Sequence, residues 1–133
     1  MNDLVTLRCP VLIDPHPTAR PQVCKRLEQF GRVVVAAGLD SAVDIFEWAR
    51  IEPLAFFVRG SLQAPFFREV VMATQDEFNG WPDTPVVFLE ENPFEPSSYE
   101  WGYYLDVEVC NFWDASDLQS KFARAVSKKE LEP

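Results

Sequence analysis

The sequence predicts a doubly wound α/β domain: a parallel sheet of five strands in the order 2-1-3-4-5, with helices on both faces. Three observations predict it. Five short apolar runs recur along the chain, and those at 33–35 and 54–58 show no alternation, as strands covered on both faces do. Apolar residues at helical spacing fall between those runs, the pattern of βα units joined by right-handed crossovers. Most of the runs stop at a polar or charged residue, which gathers such side chains at the sheet edge where open α/β folds place their sites.

The first strand covers residues 6–13. Pro10 cannot donate to a ladder, so its continuous part is Val11-Leu12-Ile13. It ends at Asp14, followed by Pro15-His16-Pro17. Thr18 caps a helix that tolerates Pro21 in its first turn. Val23, Leu27 and Phe30 share its inner face, and Gly31 stops it. Val33-Val34-Val35, within residues 32–37, reads as a β-branched strand buried on both faces. Asp40 or Ser41 then caps a helix to Arg50, with Ala42, Ile45, Phe46 and Ala49 inward.

Residues 54–58 form the third strand, with Arg59-Gly60-Ser61 as a loop. Pro65 opens a helix to Phe78, with Phe66, Val70 and Ala73 inward. Residues 86–89 are the fourth strand. A loop over 90–98 leads to a short aromatic helix over 99–104. Residues 107–110 are the fifth strand. Asp114 or Ser116 caps a last helix to about Ser127, with Leu118, Phe122 and Ala125 inward. Residues 128–133 read as a polar tail or the start of a linker.

At 133 residues the chain is one domain, 1–133, with its core over about 6–127. Its content of 47% hydrophobic and 14% aromatic residues supports a packed core. The net charge of -9 excludes direct nucleic-acid binding, which rests on clustered Lys and Arg. Cys9, Cys24 and Cys110 form neither a disulfide framework nor a zinc motif. The start lacks the basic and apolar regions of a signal peptide, and no run approaches the ~20 residues of a membrane span. These features fit a cytoplasmic protein with reduced thiols and no membrane contact.

Catalytic chemistry is not indicated. His16 is the only histidine, and beside two prolines it reads as a turn residue without a nucleophile to serve. Arg-Gly-Ser-Leu-Gln around Ser61 lacks the nucleophile elbow. The five glycines are scattered, so no phosphate loop or bound cofactor is implied. Asp76-Glu77 and Glu90-Glu91 read as solvated acids, and Cys24 and Cys110 as core thiols. The expectation is a protein that is not an enzyme.

The stretch Leu12-Ile13-Asp14-Pro15-His16-Pro17-Thr18-Ala19-Arg20 resembles the start of the receiver domains of bacterial response regulators, which have the CheY-like, flavodoxin-like fold. The resemblance covers residues 10–126, with further echoes at Glu52-Pro53, Thr84-Pro85 and Asp117-Leu118. It implies a site of two acids for magnesium, a phospho-accepting aspartate, a Ser or Thr, and a Lys. Asp14 matches the first acid. Pro15 stands at the second, Arg59 at the phospho-acceptor, Glu90 at the hydroxyl position and Asn111 at the lysine, with Phe112 for the proline after it. The resemblance therefore implies a degenerate pocket without magnesium or phosphorylation: a pseudo-receiver. Arg59 is expected to pair with Asp14, Glu90 or both.

The cluster Phe94, Tyr99, Trp101, Tyr103 and Tyr104 is rich in the residue types that anchor interfaces. In receivers the fourth helix, fifth strand and fifth helix form the usual association face, so the resemblance points to the same surface. The expected function is a phosphorylation-independent regulatory module of two-component signalling. Its partner is a second copy, a signalling protein, or a downstream domain of a larger regulator such as a transcription activator. The alternative is a flavodoxin-like ligand-binding domain, or the receiver-like wing of a larger enzyme.

Overall fold

The run Val11-Leu12-Ile13 lies between two neighbouring strands of the sheet. The computed structural model describes residues 7–14, 20–59, 72, 83–90, 107–112 and 114–131. Strand β1 (Leu7–Ile13) pairs with β2 (Val34–Ala36) on one side and β3 (Ile51–Arg59) on the other. β3 continues to β4 (Val86–Glu90), and β4 to β5 (Glu108–Asn111). All pairings are parallel and the order is β2-β1-β3-β4-β5, the CheY-like, flavodoxin-like topology.

β1 runs unbroken through Pro10, because its register with β3 slips there. Cys9 lies abreast of Pro53, but Pro10 lies abreast of Ala55, so Leu54 is the extra residue on β3. A bulge of this kind lets a strand carry a residue that has no N–H. β2 joins only from Val11 and β4 only from Phe56. Before those rungs, among the described residues, β1 and β3 pair with each other alone and form a two-stranded ribbon. Glu52 and Pro53, expected ahead of the third strand, lie inside it.

Helix α1 (Arg20–Leu27) tightens into a 3-10 turn, Glu28–Phe30, that Gly31 closes. Gly31 has φ +131° and ψ -168°, a conformation that only glycine adopts cheaply. Val23 and Leu27 are buried as expected, and Phe30 is half-buried. The valines of this segment differ from expectation: Val33, just before β2, and Val34 and Val35 within it are only half-buried. β2 is an edge strand, so the helices cover its faces without enclosing its outer side.

Helix α2 (Leu39–Ala49) starts after Gly38, so Asp40 and Ser41 occupy its first turn and do not cap it. Asp40 still sits where the partial positive charge of the helix end favours an acid. Ala42 and Phe46 are buried and Ile45 is half-buried. Ala49 is exposed, on the last turn before the chain reverses into β3. The reversal is made by Arg50 in the left-handed region (φ 55°), whose N–H donates to the Phe46 carbonyl.

Strand alternation sorts the core into two layers. Val11, Ile13, Phe56, Val58 and Phe88 pack with Ala42 and Phe46 of α2. Leu12, Phe57, Val87 and Leu89 pack with Val23 and Leu27 of α1, and with Leu118 and Ala125 of α3 (Ala115–Leu131). Phe30, Phe57 and Phe122 form a ring cluster in this second layer, with centroids 4.5–5.9 Å apart. Asp114 caps α3: its Oδ1 accepts from the N–H groups of Ser116 (3.0 Å) and Asp117 (3.2 Å). The helix runs to Leu131, past the expected end near Ser127. The expected helix over 99–104 lies outside the described residues. So does the one over 65–78, except Met72, which is helical and exposed. No helix among the described residues is long and apolar enough to cross a membrane.

Candidate functional site

Four strands deliver their last residues to one edge of the sheet. The last paired rung of β1 and β3 is Ile13 with Val58. One step further stand Asp14 and Arg59. Counted from the rungs before the bulge, Asp14 would fall abreast of Val58. The slip at Pro10 sets it abreast of Arg59, on the side of the sheet that Leu12 and Phe57 share. The Arg59 guanidinium reaches it there: Nη1 donates to Asp14 Oδ1 at 3.1 Å and Oδ2 at 3.4 Å. Asp14 is 0% exposed and the Arg59 side chain 14%, so the pair is largely withdrawn from water. A buried carboxylate needs such a partner. The Asp14 N–H donates to the Ala36 carbonyl at 2.9 Å and holds the backbone beyond the strand end.

Glu90 and Asn111 lie abreast at the ends of β4 and β5. Glu90 is buried, contrary to the expectation of a solvated acid. It is the last residue of β4 instead of the first of a loop, and its carbonyl accepts the Phe112 N–H at 2.9 Å. Asn111 is half-buried, and its N–H donates to Asp117 Oδ2 at 2.7 Å. Lys121 Nζ sits 3.4 Å from Asp117 Oδ1 and donates to the Val109 carbonyl at 2.9 Å. This brace fixes the turn from β5 into α3. Phe112 is buried beneath the Arg26 guanidinium, which lies 5.1 Å from its ring centroid.

The structure thus brings Asp14, Arg59, Glu90 and Asn111 to one edge, with Asp14 and Arg59 in contact. Pro15 and His16 lie outside the described residues, as do Ser61 and the aromatic group Phe94, Tyr99, Trp101, Tyr103 and Tyr104. Among the described residues no three His, Cys, Asp or Glu side chains are placed to hold a metal ion.

Sequence reasoning missed Glu108. It is buried at the start of β5, where α3 supplies two bases: Arg124 Nε at 3.2 Å from Oε1 and Lys128 Nζ at 3.5 Å from Oε2. The signal was present in an acid between Val107 and Val109, with bases four residues apart on the next helix. None of the three cysteines is in a disulfide. Burial, with the charge of Asp117 adding to it, pushes the Cys110 thiol up to about 12, so it is a core thiol and no nucleophile.

No family model and no curated protein matches the chain. Solved structures do. The signal receiver domain of an HD domain-containing protein from Pseudomonas fluorescens Pf-5 is similar over 98% of this chain and 94% of its own, with TM-score 0.64 and 12% identity. A sensor protein from Polaromonas sp. JS666 is similar over 92% and 98%, with TM-score 0.64 and 17% identity. The chemotaxis protein CheY4 of Vibrio cholerae is similar over 90% and 98%, with TM-score 0.58 and 17% identity. At these identities the likeness is one of fold: the chain has the fold of response-regulator receiver domains.

Proposed function

We propose that this chain is a pseudo-receiver, a regulatory module on the receiver fold that works without phosphorylation and acts by contact with protein. The observation that carries the reading is Arg59 abreast of Asp14, at the strand end where a receiver carries its phospho-accepting aspartate. A guanidinium cannot accept a phosphoryl group, and its charge occupies the place a metal ion needs. Glu90, at the hydroxyl position, adds an acid that repels phosphate. On this reading the pocket residues Asp14, Pro15, Arg59, Glu90 and Asn111 have a structural role, and the module is cytoplasmic and not an enzyme.

The association surface we assign is Phe94, Tyr99, Trp101, Tyr103 and Tyr104 with β5 and the outer face of α3. Tyr and Trp bury large area at low entropic cost. A similar structure that is the receiver domain of a larger protein supports a place within a larger regulator. Homodimerisation is the first form of the proposal, and docking to another domain or protein the second.

Two measurements test it. Incubation with acetyl phosphate and magnesium should leave the intact mass unchanged; a hydroxylamine-labile phosphoryl adduct overturns the loss of phosphotransfer. In sedimentation, Trp101→Ala and Tyr103→Ala should weaken association of the parent. A parent that stays monomeric at high micromolar concentration removes homodimerisation.

A further inference from the structure

The outer face of α2 holds a tryptophan in water. Trp48 is 89% exposed. Asp40, Asp44 and Glu47 are exposed as well, and spacings of three and four residues put all of them on one stripe. This stripe works against the helix that bears it. Asp40 and Asp44 are like charges one turn apart. Glu47 lies in the last turn, where the helix dipole favours a base, and that turn has none. Asp40, Asp44 and Glu47 take part in no ion pair among the described residues. The opposite face, through Ala42 and Phe46, holds α2 to the sheet. Packing therefore does not account for the stripe.

We propose that this stripe docks a cationic segment of a partner protein, with an arginine or lysine laid over the Trp48 indole and neighbouring bases against Asp44 and Glu47. Cations bind the face of Trp better than that of other rings, and Trp is a preferred anchor at the centre of interfaces. Charge chooses the occupant. A second copy brings the same three acids and a net charge of -9 against this face. Arg50 follows in the helix cap and leaves the stripe net acidic. Trp48 lies near the amino end of β3, at the opposite sheet edge from Asp14 and Arg59, so this inference does not depend on the loss of phosphotransfer.

The test uses the full chain and a fluorescein-labelled amphipathic peptide with arginines at helical spacing, with a glutamate-for-arginine peptide as its control. Fluorescence anisotropy should show the arginine peptide binding, more weakly as salt rises, and no binding of the control. Trp48→Ala should weaken it about tenfold, and Asp44→Asn with Glu47→Gln about threefold or more. These positions are exposed, and circular dichroism should show both variants folded. Equal affinity for parent and Trp48→Ala would reduce the binding to diffuse charge attraction and overturn the proposal. So would no binding at millimolar concentration. Self-association of the parent that Trp48→Ala abolishes assigns the face to a second copy and overturns it as well.

Discussion

Arg59 is the neighbour of Asp14 only because Leu54 is extra. The one-residue slip between β1 and β3 carries Arg59 to the rung beyond Ile13 and Val58, where its guanidinium meets the buried carboxylate at 3.1 Å.

Removing the guanidinium takes from that buried carboxylate a cation that offsets its charge. Arg59→Ala should destabilise by ~3–5 kcal/mol, the usual cost of breaking a buried ion pair from one side. Arg59→Asp should cost more, since it sets another acid beside Asp14. The double variant Asp14→Leu/Arg59→Met should lie closer to the parent than Arg59→Met alone. Urea melts measure all four. A parent-like midpoint for Arg59→Ala and Arg59→Asp removes the idea that the pair holds the strand ends together.

The ion pairs of Glu108 should behave differently. Arg124 is 66% exposed against 10% for Glu108, so water screens the contact. Arg124→Ala should cost no more than ~1 kcal/mol, with the loss fading at high salt. A loss as large as that of Arg59→Ala would mean that burial of the acid, and not exposure of the base, sets the energy.

Asp114 accepts two N–H groups at the start of α3. Asp114→Ala should cost ~0.5–2 kcal/mol, and Asp114→Asn much less. Thermal melts of the two variants that coincide would show that the cap contributes nothing.

Gly31 is held by its backbone. A Cβ there would meet Pro10 Cδ at 3.5 Å, an ordinary contact, so the cost of Gly31→Ala lies in the φ of +131° and should be ~1–3 kcal/mol. Arg50, also at positive φ, should tolerate glycine with little change or a small gain. Reversed signs at the two positions in denaturant melts would contradict this.

Cys110 should make the protein less stable in alkali. Its folded value, about 12, lies above the ordinary thiol value of 9.0, so above pH 9 the unfolded state loses a proton that the native state keeps. The contribution is complete below that pH and falls by ~1.4 kcal/mol per pH unit until the folded thiol ionises. Cys110→Ala should flatten this slope relative to the parent. Identical slopes would show that the thiol is not the group responsible.

The fold was legible because most strands hold an unalternating apolar run, and the two-layer core follows directly from that pattern. The burial of the β2 valines was misread, because residue type does not reveal an edge strand's open side. The strand-end residues were also legible, yet which of them touch depends on register. A bulge at Cys9 and Pro10 changes that register by one without a turn signal to mark it. Glu90 looked solvated because the strand was ended one residue early. Glu108 was overlooked because its bases sit sixteen and twenty residues later, a contact made only when α3 lies against β5.

The ribbon of β1 and β3 ahead of the bulge has a consequence for aggregation. Two strands that outrun their sheet present backbone edges on which another chain could add itself, strand by strand. Here each strand carries a proline, Pro10 and Pro53, that takes one donor out of any such ladder. Arg8 and Glu52, abreast and exposed, put charge on the ribbon that would be costly to press against a foreign strand. The prolines that complicate the sheet's register thus also weaken any ladder that a foreign strand could build on this ribbon.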